Sequence, residues 1–182
     1  ANNALVGNGV SMVTLYYLRR FLKFLQPVFH NAASQDLTVS AELHSFFKEL
    51  AKTFSGNTKF LSSSIDDKQR KMITDALGNS GSNYRNKIYD QGFSGVKESL
   101  LATELSAFVN NSLEFIEHSI VANKRKDNLY HAYNLLSFEN DGVTISHRSA
   151  MLEGQVAVLS SGFLAAAESS HVLDALRQSA LY

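Results

Sequence analysis

Residues 96–123 read VKESLLATELSAFVNNSLEFIEHSIVAN, and their spacing decides what fold to expect. Leu101, Leu105, Phe108, Leu113, Ile116 and Ile120 fall on one face of a helix, with Glu98, Asn110, Glu114 and Glu117 away from it. A helix of about 25 residues spans about 38 Å at its fixed rise, enough to cross a whole domain. The rest of the chain is therefore expected to pack around it.

Upstream, Asp66 followed by Gln69 has the form of a capping box. It should open a short helix carrying Met72, Ile73, Ala76 and Leu77, closed by Gly78. Gly78-Asn79-Ser80-Gly81 and Gly92-Phe93-Ser94-Gly95 read as turns, with one or two helical turns between them at Tyr84, Ile88 and Tyr89. Residues 55–64 are serine-rich and read as a loop. Leu43, Phe46, Phe47, Leu50 and Phe54 predict a helix capped by Ser40 or Thr38 and ending near Gly56. Residues 11–26 predict another, capped by Ser11 and stopped by Pro27. Its stripe of Met12, Tyr16, Leu18, Leu22 and Leu25 is widened by Phe21 and Phe24. A helix packed on two sides is the expectation; a membrane-surface helix with Arg19, Arg20 and Lys23 at its polar edge is the alternative.

Downstream, Lys124-Arg125-Lys126 complements a helix C-terminus. Asn128 to Leu136 is expected to continue as helix, with Leu129, Ala132, Tyr133 and Leu136 inward. Asn140-Asp141-Gly142 is a tight turn, and Val143-Thr144-Ile145 a short strand beside Leu136–Phe138. Helices over 149–160 and 169–181 finish the chain, the second capped by Ser169 with Val172, Leu173, Leu176 and Ala180 buried. The expected fold is all-α: one helical domain over 1–182, an irregular bundle of about seven helices with at most one small hairpin and strand below about a tenth of residues.

Composition narrows the function. The chain has 182 residues, 45% apolar and 19% charged, enough for a full core. Seventeen basic residues balance 17 acidic ones, which argues against nucleic acid or an anionic membrane as partner. The absence of cysteine excludes disulfides and thiolate chemistry within this sequence and favours a cytoplasmic setting. No signal peptide or membrane-spanning run is evident. The sequence begins Ala1-Asn2-Asn3 and stops at Leu181-Tyr182 inside an apolar pattern, so a fragment of a longer protein is expected, with the rest of that chain as partner. A weak homodimer through the C-terminal end is a further expectation.

The usual catalytic constellations are missing. Six histidines, His30, His44, His118, His131, His147 and His171, form no HExxH and no i, i+4 pair, so no metal or cofactor is expected. Ser160-Ser161-Gly162 lacks the first glycine of a nucleophile elbow, and Gly7-Asn8-Gly9 is too short for a phosphate loop. Asp66-Asp67 reads as a helix start and Glu153 has no acidic neighbour, so no catalytic residue is assigned. Two segments carry more polar groups than packing needs. In Asn128–Asn134, a helix would place Tyr130 and Asn134 on one face with His131 beside them, suiting either a sugar pocket or a partly exposed surface. In Met151–Leu159, Gly154 within a helical pattern suggests close helix approach or room for another group. Tyr130, His131, Asn134 and Glu153 are the candidate substrate-binding residues.

Arg70-Lys71-Met72 with Ala76-Leu77-Gly78 opens a further pattern, continued by Tyr84-Arg85-Asn86-Lys87-Ile88-Tyr89 and Gly92-Phe93-Ser94-Gly95. His118-Ser119-Ile120 and Ala122-Asn123-Lys124-Arg125 extend it. Together these resemble a region of large bacterial proteins related to cellobiose phosphorylase. The runs Leu129-Tyr130-His131-Ala132-Tyr133-Asn134-Leu135 and Met151–Gly162 are the most specific part, and the similarity extends from near residue 15 to the end. The resemblance implies an inverting phosphorolysis: inorganic phosphate attacks the anomeric carbon while an aspartic acid protonates the leaving sugar oxygen. It also implies an (α/α) barrel catalytic domain in a much longer chain. No motif here matches the family's catalytic aspartate region or its phosphate-binding residues, so no catalytic role carries over. The expected function is a helical module of a carbohydrate-active protein, itself non-catalytic; the alternative is a helical interaction or scaffolding domain with no carbohydrate role.

Overall fold

A computed structural model describes residues 9–182. Ala1–Asn3 and the Gly7-Asn8 part of the short glycine stretch lie outside them. In chain order the elements are β1 (Gly9–Ser11), α1 (Met12–Asn31), β2 (Asp36–Ser40), α2 (Ala41–Asn57), a 3₁₀ turn (Thr58–Ser62) and α3 (Asp67–Gln91). They continue with β3 (Lys97–Leu101), α4 (Ala102–Ala122), β4 (Tyr133–Phe138), β5 (Val143–His147), α5 (Leu152–Ser160) and α6 (Ala166–Arg177). Among the described residues 63% are helical, with six α-helices, and 15% are strand, with five antiparallel strands in two sheets. The fold is therefore mixed α/β. The expected all-α bundle of about seven helices with at most one hairpin is overturned, because strand pairing draws on segments far apart in sequence. The chain forms two compact units, residues 24–115 and residues 1–23 with 116–182.

In the unit 24–115, β2 and β3 pair antiparallel from Asp36↔Leu101 to Ser40↔Lys97. Residues 97–101, expected within the long helix, pair with the backbone of β2 instead, and α4 starts only at Ala102. Ser40 caps α2 by accepting from the Leu43 N–H at 3.2 Å. The predicted stripe of α2 then builds an aromatic core. Phe47 meets Phe108 edge-on at 5.2 Å, and Phe54 lies 5.8 Å from Phe108 and 5.2 Å from Phe115. Residues 55–64 are the end of α2 and the 3₁₀ turn rather than an open loop.

The capping box at Asp66 forms as the sequence suggests: the Gln69 N–H donates to Asp66 Oδ1 at 2.8 Å and the Asp66 N–H donates to Gln69 Oε1 at 3.1 Å. Gly78 does not close the helix. α3 runs through Gly78 and Gly81 to Gln91, although each glycine costs about 1 kcal/mol against alanine. Packing against α2, including a Phe46–Tyr84 stack at 4.8 Å, outweighs that local preference. Gly92 ends it with φ 69°, its N–H donating to the Ile88 carbonyl, and Gly95 follows with φ 80°, a region open to glycine.

In the second unit, β1, β4 and β5 form one antiparallel sheet in that order. The β4–β5 hairpin pairs Leu136 with Ile145 and Phe138 with Val143, as the Asn140-Asp141-Gly142 turn predicts. Asn128–Leu136 is not helical. Asn128 takes φ 63°, Lys124 bridges Tyr130, and residues from Tyr133 join the sheet through Ser11↔Tyr133 and Gly9↔Leu135. Ser11 does cap α1, its hydroxyl accepting from the Thr14 N–H at 3.1 Å. Pro27 lies inside α1 and does not stop it. α6 begins at Ala166, without the Ser169 cap.

α1 departs from the packing expected of its wide stripe. Phe21 and Phe24 are 55% and 66% exposed, so the helix is not covered on two sides. Arg19 is buried rather than at a polar edge. It reaches Glu117 Oε1 through Nε at 2.9 Å and Nη2 at 2.7 Å, donates from Nη1 to the Ser161 carbonyl at 2.8 Å, and lies 5.1 Å from the Phe163 ring. No helix among the described residues is long and apolar enough to cross a membrane.

Candidate functional site

The runs Leu129–Leu135 and Met151–Gly162 pack on each other, and both lie in the unit containing residues 116–182. The Tyr130 N–H donates to Gln155 Oε1, and Gln155 Nε2 donates back to the Tyr130 carbonyl, both at 2.8 Å. A fully buried side-chain amide thus serves as the neighbour that a β-ladder would supply. One residue earlier in α5, Gly154 faces Ala132: a Cβ there would lie 2.8 Å from the Ala132 Cβ and 3.0 Å from its Cα. The close approach inferred from Gly154 is real, but it is to an extended segment rather than to a helix. Tyr133 then hydrogen-bonds Glu153, which raises the pKa of its phenol.

These contacts place the four candidate residues. Tyr130 is buried, and its hydroxyl donates to Glu168 Oε1 at 3.2 Å, beside the Lys124–Glu168 ion pair at 2.7 Å. Burial, then the Glu168 charge, raises its phenol pKa. Its ring has no open face for a pyranose. Glu153 is exposed and engaged with Tyr133. His131 and Asn134 do come together, through His147, which sequence reading treated as isolated. The rings of His131 and His147 stack at 3.9 Å and 9°. Asn134 Nδ2 donates to Asn123 Oδ1 at 2.7 Å, so Asn134 Oδ1 is the acceptor for His147 Nδ1–H at 2.8 Å. That bond places the proton of neutral His147 on Nδ1 and leaves the Nε2 lone pair free.

Both imidazoles titrate below the ordinary histidine value of 6.5. Burial is the main cause for each; His147 and Arg125 add to it at His131, and Arg125 adds to it at His147. The Tyr16 hydroxyl holds the segment by donating to the His131 carbonyl at 2.9 Å, while the His131 N–H donates to the Asn123 carbonyl at 3.1 Å. His131 Nδ1 is buried without a hydrogen-bond partner. The stack forms one wall of a shallow hollow of ≈420 Å³ shared with Lys124, Arg125, Lys126 and Asp127.

A larger groove of ≈780 Å³ shares Arg125 and Asp127 with this hollow. Asp127, Asn128, Ser149, His171, Asp174 and Gln178 line the groove. Arg125 bonds both oxygens of Asp127, Nη2 to Oδ2 at 2.7 Å, which holds the Asp127 carboxyl below the usual carboxylate range. Asn128 adopts its positive φ at the groove lip, a strained backbone region for most residues that asparagine tolerates. The groove thus offers acceptors and donors suited to hydroxyl groups, and no Phe, Tyr or Trp ring. Sequence reading missed Gln155 because its partner, Tyr130, lies in another element, and it assigned no role to Asp127 or Asp174. No group of three or more metal-binding side chains occurs among the described residues. No protein-family model and no curated protein matches the chain.

Proposed function

We propose that this chain is a non-catalytic module of a cytoplasmic, carbohydrate-active protein related to the cellobiose phosphorylases, holding a hydroxyl-rich ligand in the groove lined by Asp127, Asn128, Ser149, His171 and Asp174. The observation that carries this reading is the mutual packing of the two segments behind the resemblance. Tyr130 with Gln155 and Ala132 with Gly154 are joined through buried main chain. Leu129 of the first run and Ala150, just before the second, line the polar groove, and the packed residues Tyr130, Ala132, Gly154 and Gln155 do not. General acid catalysis of glycosyl transfer needs a carboxyl with a raised pKa placed against the leaving oxygen. The groove carboxylate with a resolved shift, Asp127, is moved the other way.

Calorimetric titration with cellobiose and longer cello-oligosaccharides tests the binding. Saturable heat that Asp174→Ala abolishes is expected. Incubation with phosphate and the same sugars should release no sugar phosphate. Turnover that disappears on substituting one Asp or Glu of this chain would overturn the non-catalytic assignment. A second reading, a scaffolding module with no carbohydrate role, is favoured by the exposed Phe21 and Phe24 on α1. It becomes the better one if the folded protein gives no sugar-binding heat.

A further inference from the structure

β5 is an outer strand of the sheet ordered β1, β4, β5, and the hairpin that closes it shows which main-chain groups it turns away from β4. Antiparallel neighbours alternate between pairs that exchange main-chain hydrogen bonds and pairs that do not. The Glu139 N–H donates to the Gly142 carbonyl at 2.9 Å, and the Arg148 N–H donates to the Tyr133 carbonyl at 3.5 Å. These bonded pairs flank the register from Phe138↔Val143 to Asn134↔His147, so Ser137↔Thr144 and Leu135↔Ser146 are the bonded pairs within it. The main chains of Ile145 and His147 therefore face outward. Among the described residues, nothing hydrogen-bonds their N–H and C=O groups from that side.

Open strand edges are ordinarily guarded by lysine, proline, a bulge or shortness. β1, at the other edge of the sheet, is only three residues long. β5 reads Val-Thr-Ile-Ser-His, pairs residue for residue with β4, and carries neither lysine nor proline. Val143 is fully buried, whereas Ile145 is 38% exposed and Ser146 and His147 are exposed as well. The open stretch is centred on Ser146.

We propose that this edge pairs with the same edge of a second copy of the chain, antiparallel about a twofold axis at Ser146, joining the two three-stranded sheets into one. The strand is complementary to itself. In this register Ile145 of each copy lies opposite His147 of the other, and the outward N–H and C=O groups of both are satisfied. Ser146 faces Ser146, a pair able to share a hydroxyl hydrogen bond. Arg148, whose Nε is buried without a hydrogen-bond partner, falls opposite Thr144 of the second copy, a hydroxyl acceptor. No like charges meet, and 17 basic against 17 acidic residues leave no net charge to hold two copies apart. A twofold axis at Ile145 would need Val143, which is buried. One at His147 would set two imidazoles opposite each other and run past the end of the strand. A single strand pair buries little area, so the dimer is weak and depends on concentration.

Sedimentation equilibrium of the full chain, carried up to about 1 mM, should show a monomer–dimer equilibrium. Ser146→Lys and Ser146→Glu each set like charges across the axis and should weaken the dimer at least about tenfold. Ser146 is exposed, so neither should move the unfolding midpoint of dilute protein. An equal mixture of the two variants should recover association, because lysine then faces glutamate. The chain has no cysteine, so Ser146→Cys supplies a single thiol whose Cα would lie about 4.5 Å from that of its copy, within disulfide reach. Under mild oxidation it should cross-link well ahead of Ser137→Cys, at an exposed position on β4. A chain that stays monomeric throughout overturns the proposal and leaves the edge to a foreign strand or to none. So does a dimer indifferent to both Ser146 charges, which would place association elsewhere, or cross-linking that is equal at residues 146 and 137.

Discussion

The side-chain amide of Gln155 and the main chain of Tyr130 exchange two hydrogen bonds, each 2.8 Å, with Gln155 fully buried. Gln155 Nε2 also donates to the Met151 carbonyl at 3.0 Å, which ties the amide to the first turn of its own helix. One side chain therefore fixes both the register of residues 130–133 and the docking of α5.

Gln155→Leu keeps the volume but leaves the Tyr130 N–H and carbonyl unpaired in the interior. Each orphaned group costs about 1–3 kcal/mol, so a loss of about 2–4 kcal/mol is expected. Urea unfolding should show a lower midpoint, and hydrogen exchange at the Tyr130 and His131 amides should accelerate. An unchanged midpoint would mean that the amide clamp contributes nothing.

Gly154→Ala gains about 1 kcal/mol of helix propensity. It also drives a methyl to 2.8 Å from the Ala132 Cβ and 3.0 Å from its Cα. Overpacking of this kind costs about 1–3 kcal/mol, so the net change should be destabilising by about 1 kcal/mol. Ala132→Gly in the same chain should recover only part of it, because main-chain atoms of residue 132 remain in the way. A more stable Gly154→Ala protein would contradict the close approach.

Arg19→Met preserves the stem in the core but removes the donor to the Ser161 carbonyl and the partner of Glu117. The Glu117 side chain is 36% exposed and can rehydrate, so a loss of about 2 kcal/mol is expected rather than the larger cost of a fully buried pair. Arg19→Lys should be nearly as damaging, since one ammonium cannot reproduce the guanidinium fork. Equilibrium unfolding of the two variants side by side is the check.

The His131–His147 stack makes stability depend on pH. Both folded-state values lie below the ordinary 6.5, so the folded chain binds fewer protons than the unfolded one in that range. Stability is fully present above about pH 6.5 and declines as pH falls through the lowered folded values. His147→Asn should flatten this decline. NMR titration of the imidazoles, with unfolding midpoints at pH 7.5, 6.5 and 5.5, tests it; a midpoint that rises on acidification would refute the assignment.

Legibility in the sequence followed the range of the deciding contact. Ser11, Ser40 and the Asp66–Gln69 box were readable because each cap bonds an amide three residues away. The β4–β5 hairpin was readable because its turn lies between its strands. The candidate site was half legible. His131 and Asn134 belong to one network, but its centre, His147, carries no local signal, and Tyr130 and Glu153 face other partners.

By itself the sequence determined where α1, α2 and α3 begin, which faces of α2 and α4 are apolar, and that one hairpin closes at Asn140-Asp141-Gly142. The tertiary structure alone decided that Lys97–Leu101 is a strand, that Tyr133–Phe138 pairs with Gly9–Ser11, that α3 passes through Gly78 and Gly81, and that Arg19 is buried. A cap or tight turn satisfies its amides within a few residues, so its chemistry is written locally. A strand or a buried cation is stable only when a distant backbone or carboxylate satisfies it, and no local periodicity records where that partner will be.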